Sequence, residues 1–175
     1  MATTSTTSLP ALAPQAAAGL REFLIGSLAS ETAATRNVIL AITNPQFKID
    51  PKARPAIEIA QHIVGVEVQF LHEIAEGAFK MEPRYPNLPS EPKALAAWYD
   101  AELPKAVQAL KNMTPEKLAA VLDFYGAFQF PAVMYVNFAV KHSVHHRGQL
   151  ATYLRPMGSK VPSIYGGSAD EPWEG

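Results

Sequence analysis

"PAVMYVNFAVKHSVHHRGQLATYL", residues 131–154, decides how this chain is read. Its apolar residues recur three and four positions apart, the period of an amphipathic helix and not of a strand. Three of the five histidines in the chain, His142, His145 and His146, fall within five positions of it. At about 100° per residue from His142, His146 falls near 40° and Gln149 near −20°, with Tyr135, Phe138 and Tyr153 inside the same sector. One face therefore runs Tyr135, Phe138, His142, His146, Gln149, Tyr153, aromatic at its ends and imidazole in its middle. His145 sits on the shoulder, near −60°, and Arg147 is well off the face, near 140°. Arg147 is expected to meet an acidic residue of a neighbouring helix near the exterior, or to cap carbonyls. Gly148 is expected to allow a close helix approach, and Gln149 to bond a metal-bound water or to be buried glue.

Working outward, three more stretches carry helical periodicity, and none of the chain shows sustained alternation. The first is predicted from Pro14 to Ile42, stopped by "TNP", and the second from Pro55 to Phe79. "KMEPRYPNLPSEP", residues 80–92, holds four prolines and is a loop. The third helix is predicted from Pro92 to Asn112, with a kink or break after Leu103 where Pro104 intervenes. Thr114 and Pro115 then suit the cap and first position of a new turn. "DFYGAFQFP", residues 123–131, is an aromatic connector. Residues 1–13 are expected to be a mobile tail, and 14–175 one all-α domain, a four-helix bundle with an irregular C-terminal segment. Bundles of this kind commonly build metal or ligand sites from facing helices. The loop 80–92 and the connector 123–131 are candidate pocket walls.

Histidines at i and i+4 lie one turn apart and can share an ion. Two ligands hold a metal poorly, so a third is required. On the second helix, His62 lies at the edge of the apolar stripe formed by Ile59, Ile63, Val66, Phe70 and Ile74, whereas His72 lies nearly opposite it and is expected to be solvated. The candidate metal site is therefore His62, His142 and His146. Glu58, Gln69 and Glu73 run beside His62 as candidate acceptors for a ring N–H or alternative ligands. Three nitrogens without thiolate suit Zn, Ni, Fe or Co, and the open positions they leave are the catalytic arrangement. The alternatives are a polar surface pair at His142 and His146 and a hydrogen-bonded core histidine at His62.

Bulk composition narrows the classes. The 175 residues carry a formal net charge of −1, which gives no field for nucleic acid or an anionic membrane. There is no cysteine, so disulfides, thiolate ligands and a cysteine nucleophile are excluded, and a cytosolic setting fits. No apolar run approaches the ~20 residues of a membrane span, and the start lacks the pattern of a signal peptide.

"HSVHHRGQLATYLRPMG" resembles the signature of the DinB family, an H-x-x-H-H-R-G-Q stretch on its last helix. "AIEIAQHIVGVEVQFL" is similar to that family's second helix, and "KVPSIYGGSADE" to its C-terminal segment, with "YGG" where Gly-Pro is the usual pattern. The resemblance implies a four-helix bundle of up-down-down-up topology. It also implies a three-histidine site for zinc or nickel, which falls on His62, His142 and His146, and often a homodimer. Relatives in the wider superfamily are thiol-dependent transferases or isomerases, so a low-molecular-weight thiol or another small molecule is the expected partner. The functional expectation is a metal-dependent enzyme of thiol-transferase or hydrolase type, with Glu58, Glu73 or His145 as candidate bases. The competing expectations are a non-catalytic metal-binding bundle with a structural or stress-related role, and a metal-free interaction module.

Overall fold

The structure, a computed structural model, describes residues 7–8 and 11–173. Four long helices dominate it: α1 (Pro14–Leu40), α2 (Ala56–Glu76), α3 (Pro92–Lys111) and α5 (Ala132–Leu154), with the one-turn α4 (Pro115–Ala119) between the last two. α2 packs against α5 and α3, and α1 packs against the same two from the other side, so each long helix touches two others. Isoleucines and leucines from all sides, including Leu28, Ile39, Ile59, Ile63, Leu71, Leu95 and Leu150, close the core.

The helix ends follow local chemistry. α1 and α3 begin with proline in the first turn, where its missing N–H is not needed. α2 ends at Gly77, whose φ of 82° lets the chain turn back and donate to Glu73 and Ile74 carbonyls. Thr114 caps α4 as expected, accepting from Lys117 N–H at 3.4 Å. Pro104, however, does not break α3, which runs unbroken through it. The proline forfeits one backbone bond. Tyr99, Leu103, Ala106 and Leu110 are buried on one face of α3 across that point, and their burial holds the helix together.

The connector is a second departure. Residues 121–131 form a hairpin, β2 (Val121–Phe124) antiparallel to β3 (Phe128–Pro131), with Phe124 opposite Phe128. Tyr125 (φ 55°) and Gly126 (φ 73°) are both left-handed, and Ala127 N–H closes the turn on Phe124 C=O at 3.0 Å. That is the mirror-image turn that matches strand twist. Asp123 accepts from Gly126 N–H at 2.9 Å, and the Tyr125 hydroxyl donates to the Lys80 carbonyl at 2.6 Å, which compensates a bulky residue at positive φ. Most of the expected mobile tail lies outside the described residues, but Thr7–Ser8 (β1) pairs in parallel with Phe128–Gln129.

The irregular C-terminal segment is pinned to the helices. Ser159 and Thr43 share a hydroxyl bond of 2.5 Å, and Asp170 receives Arg155 at 2.6 Å and Val161 N–H at 2.9 Å. Gly148 does not mediate a close helix approach: it is exposed, and a β-carbon there would meet nothing within 4 Å. Gly148→Ala should therefore raise the unfolding free energy by about 0.5–1 kcal/mol, the helix-propensity difference, in a denaturant titration.

Candidate metal centre and adjoining hollows

α2 and α5 lie side by side, and their contact brings distant histidines together. His62 Nε2 is 3.0 Å from His142 Nε2, and the three ring centroids of His62, His142 and His146 are 4.5–4.7 Å apart. One nitrogen from each ring falls within 4.8 Å of the other two. All three expected site residues therefore meet, each half-buried. His145 does not join them; it is exposed, its ring 4.7 Å from that of His146. His72 is half-buried beside Glu76, Asn112 and Lys117 rather than freely solvated.

The surroundings favour the neutral forms of His62 and His142. Burial, then the neighbouring His146 and Arg54, lower the His62 pKa to about 4. Burial, then His62, His146 and His145, lower that of His142 to about 4. His142 Nδ1 is buried without a hydrogen-bond partner among the described residues, so the tautomer that leaves Nε2 its lone pair carries an unsatisfied N–H there. Gln149 Oε1, which can only accept, takes a bond from His146 Nδ1 at 2.9 Å and leaves the other ring nitrogen its lone pair. Gln149 is thus not buried; it orients the His146 ring from the solvent side.

The donor set fits a divalent ion. Metal–nitrogen bonds of about 2.0–2.1 Å place coordinating atoms a little over 3 Å apart, close to the His62–His142 separation. Neutral rings offer lone pairs without a proton to expel. Among the described residues no carboxylate joins the cluster. Glu58 is exposed, and Glu73 is held by Gln69 at 2.8 Å and Lys80 N–H at 3.3 Å. Gln69 Oε1 in turn accepts Arg84 N–H at 3.0 Å, so this polar column fastens the proline-rich loop to α2.

Two hollows flank the histidines. A groove of about 850 Å³ runs between α2 and loop 80–90, with His62, Gln61, Gln69 and Glu73 on one wall and Tyr85, Leu88 and Tyr125 among the others. A smaller hollow of about 320 Å³ is lined by Phe70, Phe124, Phe128, Tyr135 and Phe138, with His142 at its edge. Val66 and Phe70 border both. The loop and the connector both serve as walls, as expected from their composition.

Beneath the histidines lies a polar layer that the sequence reading missed. Arg147, placed near the exterior by that reading, is 1 % exposed. Its guanidinium donates to Glu31 Oε2 at 2.5 Å, to the Glu31 carbonyl at 3.1 Å, to Thr35 at 3.3 Å and to the Tyr165 hydroxyl at 2.6 Å. The acidic partner on another helix was expected; the burial was not. Tyr165, from the C-terminal segment, also donates to Glu31 at 2.7 Å. Glu67 is fully enclosed, accepts from the Tyr99 hydroxyl and faces Ser143, whose Oγ falls short of hydrogen-bond geometry. Burial, the largest influence, lifts the Glu67 pKa to about 7. Glu67 lies only ~20° beyond Ile74 on the α2 wheel, so its burial was readable from the same wheel that placed His62.

The profile of the DinB family matches residues 20–174, and the chain belongs to that family. It is 35% identical over 88 residues to an uncharacterized protein, YrdA, of Bacillus subtilis, a match covering 50% of this chain and 52% of YrdA, about half of each. A second uncharacterized B. subtilis protein, YjoA, is 27% identical over 122 residues, covering 68% of this chain and 77% of YjoA. The crystal structure of a DinB-like protein from Bacillus cereus aligns with a TM-score of 0.70 and 26% identity over 82% of this chain and 97% of its own. The crystal structure of YjoA aligns with a TM-score of 0.65 and 23% identity, over 81% of this chain and 96% of its own, a likeness of fold.

The buried acid and the buried bases make opposite contributions to stability. Glu67 keeps its proton when folded up to about pH 7, whereas the unfolded chain releases it near 4.5, so stability from this group falls as pH rises through that window. Glu67→Gln keeps an acceptor for Tyr99 and abolishes the slope. Its stability relative to wild type should rise from pH 4.5 to pH 8, by an amount on the order of a few kcal/mol, in parallel denaturant titrations. His62 and His142 act the other way: unfolded rings take protons near 6.5, folded ones only near 4, so acid lowers stability between those values. A His62→Asn, His142→Asn double variant, titrated without metal, should lose that acid-side slope.

Proposed function

We propose that this protein is a metal-dependent enzyme acting on a small molecule, of thiol-transferase or hydrolase type, with His62, His142 and His146 holding one zinc or nickel ion. The observation that carries this reading is the convergence of three imidazoles beside two hollows, a ligand set that leaves coordination positions open toward bound molecules. A divalent ion held there would lower the pKa of a bound thiol or water and so supply a nucleophile at neutral pH. The chain's own residues do the rest. His62 presents its lone pair from the wall of the larger groove, and His142 does so from the edge of the aromatic hollow. Gln149 orients the ring of His146, and burial disfavours the protonated forms of His62 and His142. We further read the four long helices as the up-down-down-up bundle that the family resemblance implies, which their mutual packing supports. A homodimer and a cytoplasmic setting belong to the same reading and rest on that resemblance and on the lack of cysteine.

A second reading, a non-catalytic metal protein whose ion braces α2 against α5, is favoured by one observation: among the described residues no carboxylate joins the histidine cluster to serve as a base. Untagged protein should carry about one ion per chain by elemental analysis, and His146→Ala should lose most of it. Gln149→Ala should keep the ion but weaken its affinity by about 10–100-fold in a competition titration. Consumption of a low-molecular-weight thiol in the presence of a small electrophile, abolished by chelation and restored by zinc or nickel, supports the enzyme. A bound ion whose removal lowers the melting temperature, without turnover across thiols, electrophiles and esters, supports the brace. Wild-type protein that binds no ion contradicts both.

A further inference from the structure

The aromatic hollow has a chemistry that the metal reading does not require. Its walls are Phe70, Phe124, Phe128, Tyr135 and Phe138, closed by Val66 and Ala139, and among the described residues His142 is the only one lining it that is neither aliphatic nor a phenyl or phenol ring. Tyr135 brings no free hydroxyl to it, because that group is turned back onto the carbonyls of Leu122 at 3.0 Å and Phe128 at 3.1 Å. A polar ligand group entering the hollow would be stripped of water with almost nothing to bond. The rings are also incompletely covered: Phe128 is 37% and Phe138 is 40% exposed, with centroids 6.1 Å apart, while Phe138 lies 5.8 Å from Tyr135. These are separations at which aromatic groups attract, and a further ring laid against them would find edges and faces already oriented. The volume, about 320 Å³, lies in the range of small-molecule sites. A concave hollow one hairpin wide is far from the roughly 800 Å² per partner of a stable protein interface.

We propose that this hollow binds the apolar, ring-bearing end of a small amphiphilic ligand, whose polar, metal-ligating end lies at the histidines and along the larger groove. The substrate class is then an aryl or similarly flat apolar compound carrying a donor atom. The ligating end rests on the metal reading above; the apolar end does not, and the two are tested separately.

The first arm uses metal-free full-length protein and 2-naphthol at pH 7, followed by naphthol fluorescence. Val66→Phe fills the hollow from α2, and Phe138→Ser removes an exposed wall, so at least one folded variant is secured, checked by circular dichroism. Wild type should bind saturably, and each folded variant should bind about tenfold or more weakly, the loss expected for one aromatic contact. No saturable binding, or equal binding in wild type and variants, overturns the proposal. A wild-type dimer that Phe138→Ser converts to monomers in sedimentation assigns the face to a second copy and also overturns it. The second arm uses zinc-loaded protein. A naphthohydroxamate should bind about tenfold or more tightly than acetohydroxamate, and Val66→Phe should erase the difference. If the protein takes up neither zinc nor nickel, the metal reading fails, while the naphthol arm still decides the hollow.

Discussion

The contact between α2 and α5 is the constraint on which the site depends. It sets His62 Nε2 3.0 Å from His142 Nε2, although 80 residues separate them in the chain. Apolar burial on both helices, through Ile59, Ile63 and Val68 on one and Val136, Ala139 and Leu150 on the other, supplies the adhesion. That burial has a second effect. It removes water from His62 and His142 and makes their charged forms unfavourable, so one packing interaction both gathers the histidines and disfavours protonation of these two.

The polar layer below fixes how these helices sit. A guanidinium at 1 % exposure is tolerable only where its donors are met, and Glu31, Thr35 and Tyr165 meet them from α1 and the C-terminal segment. Glu67 and Tyr99 tie α2 to α3 in the same way. Such bonds are directional where apolar contact is not. They reward one rotation of each helix, and a helix turned by one residue would strand a charge in the core. Arg147 immediately follows His146, so the pairing that anchors the arginine also aims the imidazole at the cluster.

The histidine site was legible because i, i+4 spacing on one helix and a stripe edge on another are periodic signals. The long helices were legible for the same reason, with Pro14, Pro92 and Leu154 placed correctly and the other ends off by one to three residues. The failures have separate causes. Taking the His-bearing face of α5 as its interior put Arg147 outside, yet Val136, Val140, Ser143, Leu150 and Leu154 surround the arginine on the wheel and are all buried. The histidines sit at the edge of the core, not at its centre. Four-residue strands are too short for alternation to stand out, so the hairpin was hidden, although Tyr125-Gly126 between aromatic runs was its turn signal. Pro104 was given its local cost without the burial of Leu103 and Ala106 that overrides it. Gly148 was read as a packing device where the structure leaves open space.

The central claim is that one imidazole from α2 completes a set with two from α5 around a single ion. X-ray absorption at the metal edge, on zinc-reconstituted wild type and His62→Ala, tests it most directly. The account predicts three imidazole nitrogens at about 2.0–2.1 Å in the wild type, falling to two in the variant. A spectrum that His62→Ala leaves unchanged, or a shell made only of oxygen, would contradict it.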